Sequence, residues 1–572
     1  MKNKILFLLV FAFSFLSGIE LVSAQSSNYF PENCWGVYTW GGSLEDLTPE
    51  TYPLVKGAPM VMKWNEIEPQ PGKFMFDEVI RKKLEYAKKH NYYTFLKIWV
   101  APNAPKWLYE NGVPEVEMTK TINPLGKPRD WTFQHYLDPE YIVYFHRLIS
   151  EFGKYVQTLP KDLQDRILYV QSCEGSTGDG GPYKGDPLDS KYKITNEQWG
   201  DFRMDTWGVF KKAFTNKSGG LVKPILVNQD SNGEKEYNWL LQNFPIIGVK
   251  HGMFSHGYDI SDTKSRLDYW QKFKKTTAAK GIETFARGEQ DGEWAVYGWH
   301  TKNTELAFYW SGIFASYCGI DMWNVPSKAS EGYKHKEGIN FFNKYAGKHN
   351  PSTSNVAFCA LRKGLNAADS ISYPVNKFGK CLRNNIDRYK KIAESFSQFG
   401  AYQGDPEKAI GGGMANRQSK DYNDVGWNIT EGNYNRFIDQ IDADETSEGW
   451  WHVGPQESIY GRFARSIKIK NGKGGMYFDV NDEFAKTAKK VEIRIVWLDK
   501  GIGEWTVSYN AEKKADKSLL TVKNANTGKW MEKTIQVNDV YFANMGKNKS
   551  DITITTKGTE TTVFHILELT KI

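Results

Sequence analysis

The sequence predicts an α/β fold, a (β/α)8 barrel followed by a C-terminal all-β sandwich. Between about residues 33 and 330, short apolar segments alternate with longer amphipathic segments, which is the pattern of parallel strands joined by helices. Between about residues 426 and 572, short strand-like segments follow one another without helices, which is typical of a jelly-roll-like sandwich. Eight strands within about 300 residues match the usual size of such a barrel with some loop insertions.

Short apolar runs predict the barrel strands. These are residues 34–40, 59–64, 93–100, 167–173, 224–228, 247–254, 282–287 and 319–325. Amphipathic segments predict helices at 76–89, 139–159, 196–215, 237–243, 263–280 and 304–317. Two long insertions, 111–136 and 175–193, follow the third and fourth strands. We expect both on the face of the barrel where the strands end.

After the predicted barrel domain (25–330), the pattern changes. Residues 331–425 hold helical pieces at 334–345 and 381–396 and then a Gly-, Asn- and Asp-rich stretch, which predicts a packing segment and linker. The sandwich, 426–572, is predicted from strands at 463–469, 475–480, 490–497, 505–510, 530–537, 551–556 and 562–569.

Residues 1–24 are predicted to be an export signal. Lys2 and Lys4 precede an apolar run from 5 to 15, and Val22-Ser23-Ala24 is typical of a cleavage site. The run is shorter than the roughly 20 residues of a membrane span. No cysteine directly follows the cleavage site, so we expect no lipid anchor, no membrane association, and a periplasmic or secreted protein.

Composition favours an ordered protein that handles carbohydrate. Aromatic residues make up 15% of the chain, with 20 Trp and 31 Tyr, and flat sugar faces stack on such rings, although tryptophan-rich cores also exist. The net charge of +7 is compatible with an anionic polysaccharide, but a basic surface attracts any polyanion. The absence of Walker, G-x-G-x-x-G and H-E-x-x-H sequences predicts no cofactor, no metal and no nucleic-acid partner.

The five cysteines show no metal-ligand spacing. Cys359 and Cys381 could close a disulfide in an oxidising compartment. Cys34, Cys173 and Cys318 lie on or beside predicted barrel strands, so we expect them to be buried thiols.

Glu174 and Glu289 stand out because each closes a predicted barrel strand, the fourth and the seventh. Carboxylates at the C-terminal ends of different strands converge on one cleft. Two converging carboxylates are the minimum equipment for breaking a glycosidic bond. The sequence does not give their separation, and a pair of unrelated glutamates is the alternative.

The segment 63–77, KWNEIEPQPGKFMFD, resembles the strand-two motif W-x-x-x-E-P-x-x-G-x-[FY]-x-[FWY] of clan A glycoside hydrolases, especially the family 35 and family 42 β-galactosidases. Residues 105–108 (PKWL), 289–290 (EQ) and 321–324 (DMWN) are similar to their later motifs, in the same order. The resemblance covers about residues 30–330. It implies that Glu174 is the acid/base, that Glu289 is the nucleophile, and that Trp323 forms the floor of the sugar site.

The chain departs from this family at Cys173, where clan A enzymes usually place an asparagine that holds the sugar 2-hydroxyl. A thiol is a poor hydrogen-bond partner. The departure favours an unusual substrate, as in the marine families of the clan that resemble β-carrageenases. We therefore expect a galactan-like, sulfated polysaccharide, with cationic side chains near the two glutamates.

Several residues near the strand ends are candidates for supporting roles. Arg287 shares a strand face with Glu289, so it either keeps that carboxylate ionised or forms an interior ion pair. Glu293 is the rival nucleophile, whereas Glu66 and Glu68 are better explained as loop or helix-start charges. The candidate substrate-binding residues are Trp323, Trp64, Trp99, Trp294, His256, Asn228, Arg287, Lys63 and Lys97. Weaker candidates are Trp40, Trp107, Trp131, His251, Asp230, Arg129, Lys184 and Lys250.

The predicted function is therefore a retaining glycoside hydrolase acting on a β-linked polysaccharide or oligosaccharide. The alternative is a catalytically inactive glycan-binding protein, favoured by Cys173 and by the tryptophans of the C-terminal region. That region also resembles the β-jelly-roll domains attached to Bacteroidetes-type glycoside hydrolases. A polysaccharide lyase would need a base beside a uronate-neutralising group, and no spacing singles one out.

Overall fold

The computed structural model describes residues 29–122, 128–129, 131–178, 180–228, 233–251, 264–290, 303–395, 425–451 and 458–572. The predicted export signal and most of the predicted linker lie outside these residues. So do four candidate site residues, Asp230, His256, Glu293 and Trp294, and the side chain of His251.

Eight parallel strands form one curled sheet, which confirms the predicted barrel. They are β1 (Gly36–Trp40), β2 (Met60–Lys63), β3 (Thr94–Trp99), β4 (Ile167–Gln171), β5 (Ile225–Asn228), β6 (Ile246–His251), β7 (Glu283–Glu289) and β8 (Met322–Pro326). Their hydrogen-bonded order is β1-β8-β7-β6-β5-β4-β3-β2. Each lies within a few residues of its predicted position, because a buried parallel strand needs a compact apolar run.

Helices follow the strands and cover the outside of the sheet. They are α1 (Lys82–His90), α2 (Pro139–Thr158), α3 (Asn196–Ala213), α4 (Glu234–Asn243), α5 (Lys264–Ala279), α6 (Thr304–Cys318) and α7 (Lys336–Tyr345). Local signals fix their starts. The Asp138 carboxylate accepts two backbone N–H groups at the start of α2, and Thr195 forms a capping box with Gln198 at the start of α3.

Strand alternation separates two layers of side chains. Inside the barrel, Phe95 stacks on Tyr169 at a centroid distance of 4.8 Å, and Tyr169 contacts Phe285 at 5.0 Å. These rings come from three different strands and fill the lower interior. The next inward positions toward the strand ends are polar, including Gln171 and Arg287. The barrel therefore has an aromatic base and a polar upper layer.

The barrel closes between β1 and β2 in an unusual way. In the described chain β2 pairs only with β3, and the link to β1 runs through Gly57, which forms parallel bridges with Tyr38 and Tyr93. Thr39 donates its backbone N–H to the Gly57 carbonyl at 3.0 Å. A Cβ on Gly57 would lie 1.8 Å from the Tyr93 carbonyl oxygen, so only glycine allows this approach. The seam is closed low in the barrel and stays open near the strand ends.

Two antiparallel sheets form the C-terminal sandwich, as predicted. One contains β9 (Val356–Ala360), β10 (Tyr434–Arg436), β12 (Ser447–Trp451), β13 (Phe463–Ile467), β15 (Val491–Asp499), β18 (Lys529–Val537) and β20 (Val563–Lys571). The other contains β11 (Ile438–Ile441), β14 (Lys473–Val480), β16 (Glu504–Ala511), β17 (Lys514–Lys523) and β19 (Ile552–Lys557).

Five of these strands, β9 to β12 and β17, are absent from the sequence-based prediction. The most instructive is β9, which lies in the segment predicted to be a helical packing region. All five of its residues are buried, and it pairs with both β10 and β20. A short apolar run without alternation does not distinguish a buried strand from a buried helix.

The sandwich packs against the helices of the barrel. His565 on β20 lies 3.1 Å from the Tyr309 hydroxyl of α6. Glu568 on the same strand accepts a hydrogen bond from the Tyr345 hydroxyl at 2.7 Å and pairs with Lys344 at 2.8 Å, both on α7. Buried polar groups thus join the two parts of the chain.

All five cysteines are free thiols. Cys359 is buried within β9, whereas the Cys381 thiol donates to the carbonyl of Ala368 at 3.2 Å. The disulfide considered from the sequence is therefore wrong for this structure, and Cys34, Cys173 and Cys318 are buried as expected. Within the described residues, no helix is both long and apolar enough to cross a membrane.

Candidate active site

The two candidate carboxylates lie at the C-terminal ends of β4 and β7. Glu174 follows β4 by three residues and is 0% exposed, and Glu289 is the last residue of β7 and is 6% exposed. Charged side chains are rarely this buried without partners that compensate the lost hydration. Their partners therefore define what each carboxylate can do.

Glu174 receives hydrogen bonds from neutral donors. The Ser172 hydroxyl donates to its Oε1 at 2.8 Å, and the Trp207 indole N–H of α3 donates to the same oxygen. Its Oε2 atom is buried and has no hydrogen-bond partner among the described residues. One oxygen is thus anchored to the protein, and the other is left for a reacting group.

Glu289 is held by cations. The Arg287 guanidinium forms an ion pair with its Oε1, and the Lys250 ammonium lies 3.0 Å from its Oε2. Arg287 is itself fixed, because its Nε donates to the Asn324 amide oxygen at 2.8 Å and its Nη1 donates to the Gln171 amide oxygen at 2.5 Å. Of the two roles weighed for Arg287, the structure shows the interior ion pair, because Arg287 is buried and pairs with Glu289.

The backbone directly before Glu174 is strained at Cys173, whose φ is +35°, a value that few non-glycine residues adopt. Burial raises the pKa of the Cys173 thiol to about 11, although the nearby charges of Lys97, Arg287 and Lys250 oppose this rise. The thiol is therefore neutral at neutral pH. A Cβ on Gly178 would lie 2.8 Å from the Cys173 sulfur and 3.5 Å from the Lys97 nitrogen, so glycine lets this loop pack closely.

Two predicted substrate-binding residues, Asn228 and Lys97, have structural partners near this loop. The Asn228 amide donates to the Gly178 carbonyl at 2.6 Å, and Gln171 donates to the same oxygen at 3.1 Å. Lys97 is 1% exposed, and its ammonium lies over the indole rings of Trp40 and Trp99, at 4.7 and 5.3 Å. Asn228 thus positions the loop, and Lys97 supports the aromatic wall of the site.

Two predicted sugar platforms are wrong. Trp323 is fully buried and packs between Phe308 and Phe342, at centroid distances of 4.7 and 5.4 Å. Trp64 is also fully buried, and its indole contacts Trp107. The physical reason is strand alternation and packing. Trp323 faces the helices whereas its neighbours face inward, and Trp64 begins a helical turn that packs under α2.

The remaining charged candidates have local explanations. Lys63 pairs with Glu66 at 2.7 Å on the surface. Glu68 is fully buried, pairs with Arg147, and accepts from the Trp64 indole at 2.9 Å and from the Gly72 backbone at 2.7 Å. Both glutamates are structural, as expected.

The insertion after β3 carries two of the weaker candidates, Arg129 and Trp131. The Arg129 guanidinium lies 5.2 Å from the centre of the Trp131 ring. Lys184 lies in the second insertion and also has an interaction partner.

Trp207, Ser172, Gln171 and Asn324 are site residues that sequence reasoning missed. The signal for Gln171 and Asn324 was available, since strand alternation places them on the inward face with Arg287 and Glu289. No local signal singles out Trp207, because it reaches Glu174 from the middle of α3. Among the described residues, no group of three or more His, Cys, Asp or Glu side chains could hold a metal ion.

No protein-family model matches the sequence, and no curated protein matches it. Similar solved structures include a Bacteroidetes-affiliated family 5 cellulase linked with a polysaccharide utilization locus, with 9% identity, a TM-score of 0.35 and coverage of 57% of this chain and 96% of that one. A family 27 β-L-arabinopyranosidase from Geobacillus stearothermophilus has 7% identity, a TM-score of 0.30 and coverage of 92% and 97%.

A β-galactosidase from the psychrophilic Marinomonas ef1 has 11% identity and a TM-score of 0.30, with 50% of this chain covered. The chain spans 55% of the length of that enzyme. These identities and TM-scores are low, and the likenesses carry no argument about activity. Any functional conclusion must therefore come from the residues of the site.

Proposed function

We propose that the protein is a retaining glycoside hydrolase that cleaves β-glycosidic bonds in a galactan-like polysaccharide, including a sulfated one of carrageenan type. The observation that carries the proposal is the contrast between two buried carboxylates at the C-terminal ends of β4 and β7. Glu174 is anchored by neutral donors, and Glu289 is held between two cations. Glycosidases need two carboxyl groups in different surroundings, one to supply a proton and one to stay ionised.

In the proposed reaction, a carboxylate oxygen of Glu289 attacks the anomeric carbon and forms a glycosyl ester. Glu174 gives its proton to the departing glycosidic oxygen, so that the leaving group departs as a neutral hydroxyl. Glu174 then takes a proton from water, whose oxygen attacks the same carbon and releases Glu289. Two inversions retain the anomeric configuration, and such enzymes hold their carboxyls at about 5–5.5 Å.

Charge supports the anionic-substrate part of the proposal. Lys97, Lys250 and Arg287 lie near the carboxylates, and their charges all act on Cys173. Lys250 and Arg287 also pair with Glu289, so part of this positive charge is already compensated. Sulfate oxygens form their strongest hydrogen bonds with such cationic donors.

The test is hydrolysis of neutral and sulfated β-linked galactans by the wild-type chain and by Glu174→Gln and Glu289→Gln, read by product sizing. The anomeric form of the first product is followed by NMR. Both variants should lose at least about a thousandfold in turnover, and the exposed Glu66→Gln control should not. Wild-type-like activity in either variant, or inversion of configuration, would overturn the proposal.

A glycan-binding protein without catalysis is the second candidate. One observation favours it: both oxygens of Glu289 are engaged by cations, which opposes nucleophilic attack unless substrate displaces one of them. Binding of the same polysaccharides to the wild-type chain without any product would select this alternative.

A further inference from the structure

A cavity of about 590 Å³ opens at the seam between β1 and β2, beside the candidate active site. Its size is typical of small-ligand pockets. Its lining includes Trp40, Gly41, Gly42, Lys63, Lys83 and Trp99. The last residues of β1, β2 and β3 are all in this set, so the cavity lies at the strand-end face.

The seam explains why the cavity exists. Residues 56 and 57 close the lower part of the barrel, whereas no ladder joins β1 to β2 among the described residues. Gly41 and Gly42 form the wall directly after β1, and a Cβ on either would meet nothing within 4 Å. The gap between the upper ends of β1 and β2 is therefore open and is not filled by neighbouring side chains.

Two indole rings form the aromatic part of the cavity. Trp40 and Trp99 are both half-buried, and the Lys97 ammonium lies over both rings. The Trp99 indole N–H is buried and lies toward Gly178, whose Cβ position would be 3.5 Å from it. The two rings therefore offer the cavity a flat apolar surface, and its polar contacts come from other side chains of the lining.

The charge of the lining is positive. Lys63 and Lys83 line the cavity, Lys97 lies behind its indoles, and Asp46 is the single acidic residue of the lining. Lys63 already pairs with Glu66 at 2.7 Å, and the Asp46 carboxylate accepts the Ser43 backbone N–H at 2.9 Å. The preference of the site therefore rests on the Lys83 ammonium, a donor that suits a ligand whose oxygens only accept hydrogen bonds.

We propose that this cavity binds one sugar unit that carries an anionic group, a sulfate ester or a carboxylate. The sugar face stacks on Trp40 or Trp99, and the anionic oxygens are held by the Lys83 ammonium. The role of the cavity as a subsite for a cleaved polysaccharide rests on the proposed function. Binding of an anionic sugar to the cavity does not depend on catalysis, so the binding experiment can fail or succeed independently of the hydrolysis experiment.

Binding is measured by calorimetry on the full chain carrying Glu289→Gln, which removes turnover. Three β-linked galacto-oligosaccharides of equal length serve as probes: neutral, sulfated, and containing uronate. At least one anionic probe should bind about tenfold more tightly than the neutral probe. The sulfated and uronate arms then identify which anion the site takes.

Variants localise the effect to the cavity. Lys83→Met should remove most of the anionic preference, whereas Lys82→Met, on the next residue outside the lining, should not. Trp40→Phe keeps a ring for folding, and Trp40→Ala should weaken all three probes. Equal affinity for the three probes, or equal behaviour of Lys83→Met and Lys82→Met, would overturn the inference. If Glu174→Gln loses catalysis and keeps the preference for anionic probes, the result supports the inference. If Glu174→Gln remains active, the result contradicts the proposed function but not the inference.

Discussion

The Trp207 indole donates a hydrogen bond to Oε1 of Glu174 from the middle of α3. Ser172 donates to the same oxygen, so Oε2, which has no hydrogen-bond partner among the described residues, is the oxygen that exchanges a proton with substrate in the proposed reaction. Trp207 is thus a positioning residue for the proposed acid, and it acts only through Glu174.

Trp207→Phe should slow cleavage of polysaccharide about tenfold, since a hydrogen bond to a charged group contributes about 1.5 kcal/mol. An aryl glycoside with a good leaving group needs no proton donation, so its cleavage should change little. The measurement is kcat on both substrates, with Trp239→Phe as control because Trp239 lies 6.0 Å from Trp207, centroid to centroid. Equal slowing on both substrates would indicate general misfolding of the site.

Cys173→Asn should raise activity toward neutral β-galactosides relative to sulfated ones. Asparagine tolerates the left-handed backbone found at this position, and its amide can hold a sugar 2-hydroxyl where a buried neutral thiol cannot. One added hydrogen bond predicts a change of about five- to tenfold in the ratio of the two kcat/KM values. Cys173→Ala removes the thiol without adding the amide and should leave the ratio unchanged. A shift in both variants would show that the thiol itself disfavours neutral substrates.

Glu68→Gln should reduce stability without affecting chemistry. Glu68 is buried and pairs with the half-buried Arg147, and losing a hydrogen bond to a charged group costs about 1.5–3 kcal/mol. Glu66→Gln changes an exposed pair and should cost well under 1 kcal/mol. Thermal unfolding and kcat below the melting temperature are compared for both variants. A selective loss of kcat in Glu68→Gln would instead give this residue a role in the reaction.

Acid should loosen the contact between the barrel and the sandwich through His565. Burial lowers the pKa of His565 to about 3, with Arg494 adding to the effect and hydrogen bonding to the Phe463 carbonyl opposing it. The unfolded imidazole takes up its proton near pH 6.5. The unfolded state therefore binds more protons at pH values between these two, and stability falls as pH falls, by up to about 1.4 kcal/mol per pH unit. The groups around His565 are Tyr309, Tyr460, Arg494 and Glu568.

The melting temperature of the wild-type chain should thus drop between pH 7 and pH 5, and His565→Gln should show a smaller drop. Other histidines with lowered pKa, such as the half-buried His349, add to the wild-type effect and remain in the variant. The difference between the two chains is therefore the informative quantity. An identical drop in both would assign the acid sensitivity to those other histidines.

The sequence by itself determined the positions of the barrel strands and of the two carboxylates. Buried parallel strands need compact apolar runs, and these are visible in the chain without any knowledge of packing. Glu174 and Glu289 follow such runs, so the rule for strand ends brought them to one face. Period-two alternation also placed Arg287 and Glu289 on the same side of β7.

Only the tertiary structure decided which tryptophans line a cavity and which fill the core. Trp323 is the second residue of β8 and packs under α6, whereas Trp40 is the last residue of β1 and lies beside the open seam. Which face of a strand is covered depends on the helix that packs on it, and the contact of Trp207 with Glu174 joins residues 33 positions apart. The strand β9 was missed for the same reason, because pairing with β20, about 200 residues later in the chain, is a non-local interaction that no local pattern records.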